Sequence, residues 1–247
     1  MQDQAYDKTY ELENRYWWHV GRRYVFRKVL ERFFSPRTGA KIVDIGCGTG
    51  GNFPMLGGFG TVLGLDISEK ALAFCRQKGF TNVALMRGVY DTGLDVGSVD
   101  LVTMFDVLEH FDDDVRALAE INRILKPGGY TLISVPAFKT LWSELDEALY
   151  HRRRYKRREL EMRLEKTGFE IVKSSYLFFF VFPLVFMYRV VGQFQERRSY
   201  PQFTYVEFPK FIGAFLAWLS KVEASILGAG GRLPVGSTVV CFARKKI

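Results

Sequence analysis

The sequence predicts an α/β domain with a doubly wound, seven-stranded, mostly parallel sheet. From residue 41 onward, short apolar runs typical of buried strands alternate with segments of helical periodicity, as in a parallel sheet with helices on both faces. An N-terminal helix should precede the first strand, and a helical, Phe-rich insertion should precede the last one. The predicted strands span residues 41–46, 62–66, 83–87, 100–106, 130–135, 169–175 and 238–244.

Length and composition predict a single domain over residues 1–247. Hydrophobic residues make up 48% of the chain and charged residues 25%, enough for a core inside a soluble body. The net charge of +8 favours an anionic partner: nucleic acid, an acidic membrane surface or a phosphorylated substrate. Three cysteines without pair or metal spacing favour a reducing cytoplasm, and residues 1–40 lack the apolar core of a signal peptide.

The N-terminal segment is expected to be helical over residues 10–34. Its apolar positions Trp18, Val25, Val29 and Phe33 recur at roughly helical spacing, and arginines and lysines fill the positions between them. Residues 1–40 would then form either a cap on one end of the domain or a lid over a bound cofactor or substrate.

A glycine-rich loop follows the first predicted strand in K-I-V-D-I-G-C-G-T-G, residues 41–50. Glycine permits positive φ and close backbone approach, so a ligand can lie directly on this loop. Asp66, about 20 residues further on at the end of the second strand, is placed to accept hydrogen bonds from a ribose. These features predict an adenosine ligand, but the spacing is not that of the dinucleotide fingerprint G-x-G-x-x-G.

The middle of the chain continues the alternation of strands and helices. Ser68 is a plausible N-cap for a helix over residues 69–78. A second helix is expected over 113–125, ended by the turn K-P-G-G at 126–129, and a basic helix is expected over 157–166.

Residues 176–236 form an insertion of different character. The run 176–191 is apolar all round but shorter than the roughly 18–20 residues of a spanning helix, and Pro183 and Arg189 interrupt it. Residues 208–227 have an amphipathic pattern. The insertion is either two helices packed over the active site or a hairpin in the membrane interface, and its many Phe residues favour membrane or lipid contact.

Four motifs in order resemble those of class I S-adenosylmethionine-dependent methyltransferases, of the type 11 kind: V-D-I-G-C-G-T-G, V-L-G-L-D-I-S, S-V-D-L-V-T-M-F-D-V-L-E-H-F and I-N-R-I-L-K-P-G-G-Y. They cover about residues 41–136. The resemblance implies a Rossmann-like methyltransferase fold, S-adenosylmethionine as methyl donor and S-adenosylhomocysteine as product. The W-W-x-x-x-R-R and H-R-R-R-Y patterns also resemble bacterial members of envelope and polysaccharide pathways.

The same resemblance implies the cofactor contacts. Asp44 would orient the loop and the cofactor's amino group, Asp66 would bind the ribose, and Ile67 would pack on adenine. Gly88 stands where the family often has an acid, so we expect the backbone of Val89 and the side chain of Tyr90 or Asp91 to hold adenine instead. The implied contacts are Asp44, Gly46, Cys47, Gly48, Gly50, Asp66, Ile67, Val89, Tyr90, Phe105 and Asp106.

The implied reaction is in-line methyl transfer, in which the protein mainly aligns two reactants. A base is needed only if the acceptor must lose a proton, and His110 is the candidate; otherwise it simply begins the next helix. Alternatively Asp106, Glu109 and His110, with His151, resemble the metal site of some 2′-O-RNA and quinone O-methyltransferases, although D-V-L-E-H is also common in relatives without metal.

The basic run at residues 151–158 is either a solvated helix start, a phosphate-binding site or a contact for anionic lipid. The substrate candidates are Trp18, Arg22, His151, Arg154 and Tyr155.

Together these features predict a cytoplasmic methyltransferase, peripheral at the inner face of the cell membrane, that acts on a small or lipid-linked acceptor. The runner-up is an RNA methyltransferase, which the basic charge and the possible metal site support. Against it, no separate RNA-binding module is recognisable, and the aromatics cluster with aliphatic residues rather than with basic ones. Two more hypotheses stay open beside it, a quinone-precursor O-methyltransferase and a non-catalytic membrane-associated scaffold.

Overall fold

The computed structural model describes residues 3–34, 39–88, 90–192 and 208–247. Its sheet has the strand order β3-β2-β1-β4-β5-β7-β6, in which β1 to β5 run parallel and β7 runs antiparallel to both β5 and β6. The predicted fold class is confirmed. The strands are β1 (Lys41–Ile45), β2 (Thr61–Asp66), β3 (Val83–Leu85), β4 (Val99–Phe105), β5 (Leu125–Pro136), β6 (Phe169–Leu177) and β7 (Thr238–Lys245).

The helices cover both faces of this sheet and its carboxyl edge. They are α1 (Asp3–Leu12), α2 (Trp17–Phe33), α3 (Phe53–Leu56), α4 (Glu69–Gln77), α5 (Asp114–Ile124), α6 (Glu144–Ala148), α7 (Arg157–Lys166), α8 (Phe182–Gly192) and α9 (Lys210–Gly228). Ser68 caps α4 as predicted, accepting a hydrogen bond from the backbone N–H of Ala71.

Three predicted boundaries were wrong. The single helix over residues 10–34 is two helices, because the chain turns at residues 13–16. The expected turn at 126–129 belongs to β5, where the pairing with β4 shifts between Val99 and Leu101. Part of the apolar run 176–191 completes β6, which extends to residue 177 because Tyr176 and Leu177 pair with β7.

The core lies on both faces of the sheet. On one face α5 and α7 bury Leu118, Ile121 and Leu160. On the other face α2 and α9 bury Phe26 and Leu227 in a second cluster. Helix α9, although part of the predicted insertion, therefore belongs to the layer that covers the sheet.

Close packing joins α2 to α9. A Cβ atom on Gly21 would lie 2.4 Å from the Ser220 hydroxyl oxygen and 2.7 Å from its Cβ, so glycine is needed where the two helices meet. On the same buried face of α9, the Glu223 carboxylate accepts hydrogen bonds from the backbone N–H groups of Phe178 (2.6 Å) and Phe180 (3.1 Å). Glu223 thereby fixes the connection between β6 and α8.

The opposite face of α9 is exposed at Phe211, Phe215 and Trp218. By length and composition alone, α9 could cross a membrane: its mean hydropathy is 1.4, and 28% of the apolar window lies buried inside the protein. It is the one helix of this kind in the described part of the chain.

The α2–α9 contact makes a stability prediction. Replacing Gly21→Val should force the helices apart and lower the free energy of unfolding by about 1–3 kcal/mol. Gly213→Val, in the same helix pair but with nothing within 4 Å of its added Cβ, should change it by less than about 0.5 kcal/mol. Urea unfolding measures both, and equal losses in the two variants would contradict the close packing.

Candidate active site

A cavity of about 880 Å³ lies at the carboxyl ends of β1, β2 and β4, the edge where open α/β sheets bind ligands. One part of its wall is the glycine loop with Asp66 and Ile67. The other part is mostly apolar and is formed by side chains of α2, α6, α8 and α9. Among its lining residues are Trp17, Trp18, Arg22, Leu145, Leu184, Tyr188, Arg189, Phe208 and Leu216.

The glycine loop is shaped for a ligand lying on its backbone. Gly46 and Gly48 have φ of +67° and +55°. A Cβ on Gly46 would lie 2.4 Å from Val107, whereas a Cβ on Gly48 would meet nothing within 4 Å. Gly46 is therefore needed for packing below the loop, and Gly48 leaves an open cradle on the cavity side.

Asp66 closes the end of this cradle. Its carboxylate accepts backbone N–H groups from Gly48 (2.8 Å) and Ser68 (2.9 Å), and burial raises the pKa of Asp66 above its usual value. A carboxylate has about four acceptor positions, so Asp66 keeps acceptor capacity for a ligand hydroxyl. Ile67 beside it is 62% exposed and lines the cavity. An open glycine cradle followed by an acceptor and an exposed apolar residue fits the adenosine part of S-adenosylmethionine.

Asp44 lies behind the loop rather than on the cavity wall. It is 1% exposed, and its Oδ1 accepts a hydrogen bond of 2.6 Å from the Thr103 hydroxyl. Burial raises the pKa of Asp44 to about 7. This position suits the predicted role in orienting the loop, while Asn52, which lines the cavity nearby, was not singled out from the sequence.

The predicted adenine contacts are only partly covered by the described structure. Val89 lies outside the described residues. Tyr90 lines the cavity, and its hydroxyl accepts the backbone N–H of Asp113 at 2.9 Å. Gly88 and Asp91 pair with each other in a tight turn, and Asp91 is not on the cavity wall. Met86 lines the cavity instead. The sequence did not indicate this, because Met86 stands at the end of an apolar strand.

The N-terminal segment is tied directly onto the glycine loop. Glu13 is 3% exposed and accepts hydrogen bonds from the Thr49 hydroxyl and the Lys78 ammonium group. Lys78 also donates to the Thr49 carbonyl at 2.7 Å, and burial lowers the pKa of Lys78 to about 8. Sequence reasoning missed Glu13 because its partners are 36 and 65 residues away.

Helix α2 supplies a second tie, at the end of β4. Arg22 donates to the Asp106 carboxylate and lies 4.3 Å above the ring of Trp18. Asp106 has φ of +56°, an uncommon conformation outside glycine that marks a constrained position. Two buried donors on this wall, the Trp17 indole Nε1 and the Arg22 Nε, have no hydrogen-bond partner among the described residues. They are free to bind polar atoms of a substrate.

Glu109, His110 and His151 converge opposite this wall, with potential ligand atoms within 4.8 Å of one another. Glu109 is fully buried, and neither of its oxygens has a hydrogen-bond partner among the described residues. Burial and the Asp106 charge raise the pKa of Glu109. Burial and the neighbouring His151 lower the pKa of His110 to about 3, so its ring is neutral at physiological pH. A neutral imidazole can accept a proton, although a pKa of about 3 makes it a weak base.

Asp146 holds the basic side of the cavity together. It accepts hydrogen bonds from Arg154 Nε (2.7 Å) and Nη2 (3.0 Å) and lies 2.9 Å from His151 Nδ1. Although burial opposes ionisation, the bonds from His151 and Arg154 hold the pKa of Asp146 well below its usual range. Arg189 of α8 is a further cation, 3.7 Å away.

The remaining predicted residues fall into two groups. Thirteen lie on the cavity wall: the cofactor and catalytic candidates Gly46, Cys47, Gly48, Asp66, Ile67, Tyr90, Phe105, Asp106 and His110, and the substrate candidates Trp18, Arg22, His151 and Arg154. Gly50 lies off it. Tyr155 was wrongly placed by the sequence: it is 1% exposed in the core, where its hydroxyl donates to Asp114 at 2.9 Å.

The basic run is neutralised by its neighbours. Arg152 pairs with Asp112 at 2.7 Å, Arg153 with Asp114 at 3.1 Å, and Arg154 with Asp146. These pairs do not fit the idea of a ready-made phosphate site in this segment.

Comparison with known proteins agrees with a cavity that fits S-adenosylmethionine. Residues 43–133 match a family model described as a methyltransferase domain. A probable S-adenosylmethionine-dependent methyltransferase of Mycolicibacterium smegmatis is 32% identical over 155 residues, 60% of each chain. A ubiquinone biosynthesis O-methyltransferase of Thiobacillus denitrificans is 34% identical over 106 residues, 40% of this chain and 46% of that protein. The chain thus spans about half the length of these relatives.

Among solved structures, an S-adenosylmethionine-dependent methyltransferase from Thermotoga maritima has the same fold. It superposes with a TM-score of 0.59 at 20% identity, covering 99% of this chain and 100% of that one.

The Asp146 cluster makes a prediction for stability. Asp146→Asn leaves Arg154 buried without its counter-charge and should lower the free energy of unfolding by about 3–5 kcal/mol. Since the folded pKa is depressed, this contribution is complete above the unfolded pKa near 3.9 and fades as pH falls through the folded value. The difference from wild type should therefore stay constant between pH 5 and 8 in urea titrations.

The matched control is Asp95→Asn, at an exposed site, which should change stability by less than about 0.5 kcal/mol. If the unfolding free energies of Asp146→Asn and the wild type were equal near neutral pH, Asp146 would not be ionised in the folded protein.

Proposed function

We propose that this chain, which carries a methyltransferase domain of the class I fold over residues 43–133, transfers a methyl group from S-adenosylmethionine to a small or lipid-linked acceptor. The observation that carries the proposal is the continuity of one cavity. It joins the glycine cradle and Asp66 to a mostly apolar chamber formed with α2, α8 and α9.

S-adenosylmethionine supplies a methyl group already activated on a sulfonium, so the protein's task is alignment and exclusion of water. Gly48 and Asp66 hold the adenosine end, and Phe105 and Asp106 border the inner end of the cradle. Arg22 fixes the Asp106 carboxylate, and Trp17 and Trp18 close the wall. Where the acceptor is a hydroxyl, the neutral ring of His110 accepts its proton.

The acceptor class follows from the chamber wall. Leu184, Tyr188, Phe208 and Leu216 bind an apolar body, while the unpartnered donors of Trp17 and Arg22 bind oxygen atoms at its polar end. An amphipathic molecule such as a lipid-linked sugar or a quinone precursor meets both requirements. With such an acceptor, we expect the protein to act at the cytoplasmic surface of the cell membrane. An RNA acceptor is less suited, because the arginines of the basic run are engaged by acids.

Binding of the methyl donor tests the first half of this proposal. Gly48→Val puts a β-branched side chain at a positive φ and fills the cradle, so we expect at least a 100-fold loss of S-adenosylmethionine affinity by calorimetry. Gly79→Val carries the same backbone strain (φ +84°) at an exposed turn, and its affinity should stay within about threefold of wild type.

Radiolabelled-methyl transfer into lipid, RNA and soluble extracts tests the acceptor. Label should appear in the lipid fraction, fall with Gly48→Val and fall by about 100-fold or more with His110→Ala if a hydroxyl is methylated. Label confined to RNA would overturn the acceptor class, and absence of donor binding in wild type would favour a non-catalytic scaffold.

A second candidate is O-methylation of a quinone precursor assisted by a divalent ion. It is favoured by the Glu109, His110 and His151 cluster and by the Glu109 carboxylate, whose oxygens accept no hydrogen bond from the described residues. Carboxylate and imidazole ligands suit such an ion, which would supply acidification of the acceptor hydroxyl. The ligand set differs from the one expected from the sequence, because the Asp106 carboxylate is paired with Arg22.

Chelation separates the two candidates. If a metal assists, EDTA should abolish methyl transfer, Mn²⁺ should restore it, and Glu109→Gln should remove Mn²⁺ binding measured by calorimetry. Asp95→Asn is the control and should bind Mn²⁺ as wild type does. Transfer that is insensitive to EDTA would leave His110 as the proton acceptor and exclude the metal.

A further inference from the structure

Among the described residues, the exposed large apolar side chains are concentrated on α8, α9 and the residues just before each of these helices. Of the sixteen large apolar side chains that are exposed in the described ranges, nine lie between residues 180 and 218. We call them the α8–α9 apolar face: Phe180, Leu184, Phe186, Met187, Tyr188, Phe208, Phe211, Phe215 and Trp218. A surface cluster of this kind marks a contact site, because soluble proteins rarely expose large contiguous apolar areas.

Three residues of this face also line the cavity. Leu184 is 55% exposed, Tyr188 65% and Phe208 38%, and all three belong to the chamber wall. These three side chains are therefore both solvent-accessible and part of the chamber wall, so the apolar face adjoins the chamber. The other exposed large apolar residues of the wall, Ile67 and Tyr150, lie beside the glycine cradle and the His151 cluster, respectively.

The charges around the face complement an anionic surface. In the described part of α8 and α9, the exposed charged side chains are Lys210 and Lys221, and the acid, Glu223, is buried against the backbone of Phe178 and Phe180. Lys221 lies 4.8 Å above the ring of Tyr24. Aromatic side chains with lysines at their border are typical of helices that lie in the headgroup region of a bilayer.

The packing of α9 favours lying on a membrane over crossing it. Its opposite face is buried against α2, where Ser220 meets Gly21 and Leu227 enters the core. A spanning helix would have to abandon these contacts and expose the buried Glu223 to lipid.

We propose that the α8–α9 apolar face docks on an anionic bilayer and that the apolar part of the acceptor enters the chamber from the bilayer between Leu184, Tyr188 and Phe208. This inference rests on the proposed function and specifies its acceptor route. The methyl donor reaches the cradle from the opposite side, by Ile67. Acceptor and donor then meet without either passing through the other's entrance.

Docking is tested with vesicles of phosphatidylglycerol and phosphatidylcholine in equal parts. Phe211→Ser/Trp218→Ser, at residues outside the cavity, should weaken vesicle binding at least tenfold in flotation assays. Met162→Ser, an equally exposed apolar residue on α7, should bind as wild type does. Binding should weaken with pure phosphatidylcholine and with high salt. Equal binding by all three proteins would overturn the docking face, as would a wild-type dimer that ignores vesicles.

The entrance is tested with a protein that keeps only Trp17 and Trp18, made by Trp142→Phe/Trp218→Phe. Dibrominated phosphatidylglycerol in the vesicles should quench its fluorescence, and adding Leu184→Glu should reduce that quenching at equal vesicle occupancy. Docking without quenching would overturn the entrance. Calorimetry with S-adenosylmethionine is run on every variant. Absence of donor binding in the wild type would contradict the proposed function, whereas normal donor binding without quenching would contradict only the acceptor route.

Discussion

The site depends on the attachment of the N-terminal helices to the carboxyl edge of the sheet. Two ion pairs that are largely shielded from solvent make this attachment, Glu13 with Lys78 beside the glycine loop and Arg22 with Asp106 at the end of β4. Buried pairs gain little net stability but become costly when one partner is lost, so they specify one position of α2 rather than add much to the free energy of folding. In that position, side chains of α2 form part of the wall of the cavity that joins the glycine cradle to the apolar chamber.

Burial then decides the protonation of the groups that face the acceptor. His110 and Glu109 are both driven toward their neutral forms, while Asp146 remains ionised because Arg154 and His151 satisfy it. A chamber with few uncompensated charges suits an apolar acceptor. In such surroundings, a single positive charge formed by proton transfer to His110 interacts more strongly with its neighbours than it would in water.

The sequence predicted the sheet, its order of elements and most of the cofactor loop, because apolar periodicity and glycine spacing are local signals. It could not place Glu13, whose partners lie 36 and 65 residues away, and it did not single out Met86 or Asn52 as lining the cavity. Tyr155 shows the opposite error: it was expected to contact the substrate, but its ring lies in the core and its hydroxyl donates a hydrogen bond to Asp114. The helix break at residues 13–16 was also missed. There Glu13 contacts Thr49 and Lys78, which are distant in the sequence, so no local pattern indicated the break.

The position of β7 has a consequence for how the chain reaches this structure. The last strand lies between β5 and β6, so β6 joins the sheet only through residues that follow it by about 70 positions. During synthesis, β6 must therefore wait for β7 to leave the ribosome before it can join the sheet. Such long-range closure is slow, and it leaves the aromatic helices exposed as a nascent surface for chaperones or for a membrane nearby.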